Sequence, residues 1–491
     1  MSITIDFGAI GSVTDLRQGT RWTAEDLARA TEHTAALLRP MVTPDRPHVV
    51  IGHGGTPMFF ADLFGVWAAG GCAVCVNPGI TAGEMSVIGN FLNPAAVLIG
   101  KEDGPVVPDG VPSLYSIRDK ASKKSLLGGA VRTLDDPALI LFTSGTTGAP
   151  KGVVHSLRSL LARIGLNRVH MGDASLARSL CVLPTHFGHG LIGNCLTPLF
   201  AGGELLLWSG MAMKEMVDLG ATLAEHDVTF MSSVPAFWPM ALRLSTAPPR
   251  RCLQRVHIGS APLSSALWQD VAHWAGTDSV VNMYGITKTA NWIAGASLAD
   301  AAPEDGLIGT MWGGCAAVLS VDGTMRSRGD GEILVQTPSL MMGYHARPDL
   351  TEPVLRNGWY HTGDSGHIDG DGRIRLVGRR KSEINKAGVK VHPEEVDLLL
   401  ERHPGVAEAC CFSMPDPVSG EIVGVAVTLA AGETDGQPTP EIADLRDWCR
   451  ARIKAECVPD RWYTVAEIPK TDRGKVNRDR VRDHCLRQGP G

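Results

Sequence analysis

The sequence predicts an α/β protein: a large N-terminal domain of mixed, largely parallel sheets plus a β unit, then a small α+β C-terminal domain. Three observations predict it. Short apolar runs alternate with helical periods through the first 300 residues. From 306 to 378 Gly and Asp recur among short alternating strands, the texture of an antiparallel unit. From 392 to 491 a compact tail has its own helix and strand pattern. With 491 residues, 44% of them hydrophobic and 20% charged, the chain can bury a large core without staples.

Taken in order, residues 21–40 carry a helical pattern in which Leu27, Ala30, Thr34, Leu37 and Leu38 share one face. His48–Gly52 is a short buried strand, 58–69 a helix, and Cys72–Val76 and Val97–Gly100 further strands. Residues 101–137 are polar and loop-rich. Strand-like runs follow at 179–184, 204–208, 228–232, 255–259 and 280–284, then 332–335 and 374–377 in the β unit. The tail reads as helix 393–403, strands 406–413 and 421–430, helix 439–456 and a basic end.

Phe142–Gly152 is the densest chemical signal: three glycines, four hydroxyls and Lys151 behind the apolar run Ala138–Phe142. Glycine lets a backbone approach a bulky anion, and the hydroxyls and ammonium supply donors and charge, which suits a triphosphate. The ordinary P-loop spacing is absent, because Lys151 sits between Pro150 and Gly152. A solvated Gly/Thr turn explains a three-residue fragment but not eleven residues of this density.

A net charge of −6 excludes a general affinity for nucleic acid or anionic membranes. No run of eighteen apolar residues or signal-like N-terminus is present, so a soluble, cytoplasmic protein is expected. The eleven cysteines lack zinc spacing; Cys72 and Cys75 lie in an apolar stretch and read as buried thiols of a reducing compartment.

Five further elements follow in order: Gly259-Ser260-Ala261-Pro262-Leu263, Asn282-Met283-Tyr284-Gly285-Ile286-Thr287, Tyr360-His361-Thr362-Gly363-Asp364, Gly378-Arg379-Arg380-Lys381, and Pro469-Lys470-Thr471-Asp472-Arg473-Gly474-Lys475-Val476. Together with the hydroxyl loop these resemble the AMP-forming adenylating superfamily of acyl-CoA synthetases, adenylation domains and luciferases, over nearly the whole chain. The resemblance implies attack of a carboxylate on the α-phosphate of ATP, giving an acyl-adenylate and pyrophosphate. It implies that Thr143, Ser144, Gly145, Thr146, Thr147 and Lys151 hold the β- and γ-phosphates, and that Thr287 donates to the α-phosphate. It places Tyr284 against the adenine, beside Gly259, Ser260, Ala261 and Pro262 and the run Asn282, Met283, Gly285. Asp364 would accept from both ribose hydroxyls, with Arg379 nearby.

By the same resemblance Lys475 bridges the attacking carboxylate and the α-phosphate. The C-terminal domain would be mobile: residues 1–380 form the adenylate-forming domain, 381–491 the moving one, with Lys381 at the hinge and Gly388 in the acceptor channel.

Two departures stand out. The family's acidic residue after Thr287, which helps bind Mg²⁺, is Lys288 here. Other oxygens hold the metal, or Lys288 itself neutralises phosphate charge, or its side chain points away; the Mg²⁺ ligands stay open. The second departure is Pro184-Thr185-His186-Phe187-Gly188-His189, where relatives carry an aromatic-then-His pair. His186, Phe187 and His189 are candidate acid-site residues, with Val234, Asn291 and Trp292; His186 or His189 could also take a proton from an amine. No aspartate lies between Pro184 and Cys195 to pair with a substrate ammonium, so an α-amino acid is not expected. The pocket reads as mostly apolar, suiting an aryl or medium acyl acid.

The expected activity is an ATP-dependent, AMP-forming ligase acting on a small carboxylic acid, with coenzyme A as first-choice acceptor. A free amine is the rival acceptor, ahead of a separate carrier protein or a degenerate nucleotide-binding relative. Oligomeric state is not legible.

Overall fold

A computed structural model describes residues 2–100, 107, 110–115, 131–143, 151–208, 213–386, 389–430, 440–470 and 476–488. Ser144, Gly145, Thr146, Thr147, Gly388 and Lys475 lie outside the described residues, as does the side chain of Thr143.

Among the described residues three large sheets carry the fold. The first is built on the parallel strands His48–Ile51, Cys72–Cys75 and Ala96–Ile99, every residue of which is buried. Strands covered on both faces by helices read as unbroken apolar runs, which is why they were visible in the sequence. Pro137–Thr143 joins them in parallel, then pairs antiparallel with Lys151–Ser156, so that Thr143 faces Lys151.

The second sheet runs in parallel through Glu204–Leu207, Arg178–Cys181, Phe230–Ser233, Arg255–Gly259 and Val280–Ile286. It then continues antiparallel through Asn291–Ser297 and Leu307–Met311 into Ile374–Arg379, Trp359–Ile368 and Gly329–Gln336. The β unit expected at 306–378 is thus hydrogen-bonded into the main sheet through Leu307–Met311. This continuity brings residues 284 and 364 together. The third sheet, with Ile384, Val425 and Trp462 in its core, belongs to the tail.

Several elements differ from the sequence expectation. The stretch 101–137 contains Ser113–Tyr115 and Val131–Thr133, three-residue strands recruited by neighbouring edges and too short to show a period. The helix expected over 439–456 is Ile442–Arg450; the Cys449 carbonyl accepts from both Arg452 and Ile453 N–H, which tightens and ends it.

Two buried side chains staple the hairpin and its helix to the turn at Thr287–Thr289. Arg163, on the helix Leu157–Met171, has no exposed surface and donates to Ser339 Oγ, Thr337 Oγ1 and the Trp312 carbonyl. Ser339 Oγ in turn donates to the Thr289 carbonyl at 2.9 Å. His155, inside Lys151–Ser156, places Nε2 2.8 Å from the Thr287 carbonyl. A carbonyl only accepts, so Nε2 carries a proton.

Burial pushes the His155 pKa down to about 4. The unfolded chain takes up this proton near pH ~6.5. The stability held by neutral His155 is therefore full above that pH and is lost as pH falls towards 4. We predict that the wild type loses up to about 3 kcal/mol more stability across this window than His155→Gln does, measured by urea unfolding at both ends. Equal losses in the two proteins would show that the ring titrates freely when folded.

Candidate active site

Asp364 sits in the strand Trp359–Ile368 and is 3% exposed. The antiparallel register sets it opposite Arg379, whose Nε lies 3.0 Å from Oδ1. Tyr284, buried at the end of Val280–Ile286, donates its O–H to Oδ2 at 2.5 Å. Gly363, at φ +73°, makes the kink that turns this carboxylate inward, a conformation any side chain would strain. Burial pushes the Asp364 carboxyl pKa up; the Arg379 charge, the Tyr284 hydrogen bond and the Lys288 charge pull it back. Lys288 is thus close enough for its ammonium to act on the site.

Thr287 opens a one-turn 3-10 segment, Thr287–Thr289, whose carbonyl is held by His155. The Lys288 carbonyl accepts from Met341 N–H at 2.7 Å. The turn that presents Thr287 and Lys288 is thereby pinned from two directions.

The donor set does not suit a protein-held Mg²⁺. That ion wants carboxylate and carbonyl oxygens. Asp364 already accepts from Tyr284 and pairs with Arg379, and keeps lone pairs for further hydrogen-bond donors. Glu332 takes Arg380 Nη1 at 2.6 Å and Gly363 N–H at 3.1 Å. Position 288 is a lysine. Among the described residues no three His, Cys, Asp or Glu side chains converge as a metal group.

The strands Arg255–Gly259 and Val280–Ile286 touch so closely that a Cβ on Gly259 would sit 2.8 Å from the Met283 carbonyl oxygen. The chain then turns through Ser260, a non-glycine residue at φ +71°. Its hydroxyl is hydrogen-bonded to His189 Nδ1 at 2.8 Å, and Ser232 Oγ to His189 Nε2 at 2.7 Å. His189 opens an eight-residue π-helix, His189–Leu196, a rare form concentrated at functional sites. Thr185 ties the preceding loop to the first sheet by accepting from Gly55 N–H at 3.0 Å.

The structure therefore gathers Tyr284, Thr287, Lys288, Asp364 and Arg379 on one side. On the other it gathers His189, Ser260, Asn291 and Trp292, the last with its ring 5.6 Å from His189. His186 and Phe187 stack edge to face at 5.7 Å, half-buried, in the loop before the π-helix; Val234 is half-buried just ahead of the Pro235–Phe237 turn. Asn282 is spent on the Leu307 carbonyl at 2.8 Å, a structural bond between strands. Lys381 is exposed in the turn after Arg380.

His189, Ser232, Asn291 and His257 are all buried on this side, which makes it less apolar than the sequence suggested. Both His189 nitrogens are engaged by serines, which fixes the ring. His155, Gly193, Ser232 and His257 escaped the sequence reading. A histidine inside an apolar strand, as at 155 and 257, was the available signal; a lone glycine or serine offers none.

Residues 8–345 match the AMP-binding enzyme family and 395–475 its C-terminal domain. The sulfoacetate–CoA ligase of Cupriavidus necator is 34% identical over 72% of this chain and 68% of its own. The fatty acid–[acyl-carrier-protein] ligase of Streptomyces coeruleorubidus is 30% identical over 95% of this chain and 92% of its own. The solved amide bond synthetase of Marinactinospora thermotolerans, 25% identical, superposes with a TM-score of 0.84 over 97% of this chain and 98% of its own. The chain belongs to the AMP-binding enzyme family and is an ATP-dependent, AMP-forming ligase.

Proposed function

We propose that the protein activates a non-amino-acid carboxylate as its acyl-adenylate, releasing pyrophosphate, and passes the acyl group to coenzyme A. The observation that carries the first half is the buried Asp364 carboxylate, held by Tyr284 and Arg379. Such an acceptor suits a vicinal diol, and Tyr284, fixed by the same bond, offers a flat face for a base. Ligases of this family use ATP and Mg²⁺, with CoA as the general co-substrate. In this chain we assign Lys288 to phosphate charge, because a lysine stands where the family carries the acidic residue that helps bind Mg²⁺.

Lys475 is our candidate for the first half-reaction. Its flanks are well anchored: Lys470 and Val476 bridge antiparallel, and Arg478 pairs with Asp397 at 2.7 Å and Glu394 at 3.2 Å while donating to the Cys411 carbonyl. We take 380/381 as the domain boundary and Lys381 as the hinge. The separate core of the tail, from Ile384 to Trp462, supports this. Gly388 is assigned to the acceptor channel by resemblance. A cytoplasmic setting fits eleven free cysteines and the lack, among the described residues, of a helix able to cross a membrane.

The second reading is transfer to an amine, favoured by the likeness to the amide bond synthetase over nearly the whole chain. Enzyme, acid and ATP should be incubated separately with CoA, an amine panel and a carrier protein. The thioester of CoA is the expected product. AMP release that rises only with amine, without thioester, would replace CoA by the second reading.

Lys475→Ala should lower ATP–pyrophosphate exchange by about 10²-fold or more, the loss typical of one transition-state charge contact, while calorimetry still finds ATP bound. Exchange near the wild-type rate would remove Lys475 from the chemistry.

A further inference from the structure

The relatives act on acids as different as sulfoacetate and fatty acids, so the acid must be read from the wall that would meet it. That wall is built at some conformational cost. The turn between Val280–Ile286 and Asn291–Ser297 passes through two consecutive non-glycine residues at positive φ, Ala290 at +59° and Asn291 at +131°. Strain of this kind persists where surrounding structure demands it. Here it lays Asn291 and Trp292 against the π-helix at Gly193. A Cβ on Gly193 would stand 1.9 Å from Asn291 Nδ2 and 2.7 Å from the Trp292 ring atoms Cη2 and Cζ2. Only glycine allows the approach.

Asn291 is 5% exposed and Trp292 2%, yet Asn291 Nδ2 and Trp292 Nε1 have no hydrogen-bond partner among the described residues. His257, fully buried with its ring 4.6 Å from that of Trp292, leaves both nitrogens unpartnered as well. Proteins seldom leave even one such donor orphaned, let alone several in one wall. The adjacent His189 is satisfied by Ser232 and Ser260, so the orphans are not the result of a generally polar, loosely bonded region. None of the side chains that make this wall is a lysine or arginine, and burial holds His257 neutral. An anion placed here would lose its water without an ion-pair partner in the wall itself, the Arg255 charge acting on His257 only from a neighbouring position.

We infer that this wall recognises a neutral hydrogen-bond acceptor, a ring nitrogen or carbonyl oxygen, at the end of the acid remote from its carboxylate, with Asn291 Nδ2 and Trp292 Nε1 as the donors. The substrate class is then a heteroaryl or oxo acid, not a plain aryl or alkyl one. This rests on the acid-activating reading above.

The test uses matched acids of one shape: 2-naphthoate against quinoline-6-carboxylate, benzoate against isonicotinate, hexanoate against 5-oxohexanoate. ATP–pyrophosphate exchange gives kcat/KM for each, and calorimetry without ATP gives binding apart from chemistry. In at least one pair the acceptor-bearing acid should win by about tenfold or more, since a site built to hydrogen-bond rejects the analogue that lacks the group. Trp292→Phe, which keeps the packing, and Asn291→Leu should each shrink that ratio while leaving the KM for ATP unchanged. Ratios near one in every pair, in both measurements, would overturn the inference, as would a Trp292→Phe variant that lowers both members of a pair equally. A binding preference without exchange would uphold the acceptor wall and contradict the ligase reading instead.

Discussion

Everything on the nucleotide side of the molecule depends on keeping one carboxylate charged in a nearly dry place. Asp364 is almost fully enclosed, and an isolated ionised carboxylate in such a position costs several kcal/mol. Tyr284 and Arg379 offset that cost from two different strands, and Tyr284 can do so only because the β unit continues the main sheet. The pKa of Asp364 is still raised, so the two partners do not fully replace water. We propose that hydroxyl donors arriving from a ligand complete the set.

The acid side obeys a different constraint: backbones and rings must approach more closely than ordinary side chains permit. Gly193, Gly259 and Gly285 remove the Cβ atoms that would collide, while Ser260, Ala290 and Asn291 accept unfavourable dihedrals. Ser260 shows what the strain secures, since its hydroxyl is one of the two that fix His189. A fixed imidazole shapes a wall.

Much of this was legible in the chain. Buried parallel strands appear as continuous apolar runs, and the strand Pro137–Thr143 ahead of the hydroxyl-rich segment was visible in that way. Tyr284, Thr287, Asp364 and Arg379 could be singled out because their motifs are local. What was not legible is pairwise and long-range. The Tyr284–Asp364 bond spans 80 residues, His155 reaches Thr287 across 132, and Arg163 reaches Ser339 across 176. The same holds for the edge strands Ser12–Asp15 and Thr20–Trp22, whose identity comes from the partner they join. The polarity of the acid wall was missed because indole and amide groups count as pocket lining until one asks where their N–H bonds go.

The central claim is that Asp364 is the anchor of the nucleotide, held in readiness by Tyr284 and Arg379. Its most direct test is ATP affinity of Asp364→Asn by titration calorimetry, alongside a thermal melt. Asparagine keeps the volume but offers one accepting oxygen and no charge. The account predicts a loss of affinity of at least about tenfold, one charge-assisted hydrogen bond's worth, in a protein that still melts cooperatively. An unchanged affinity for ATP would contradict it.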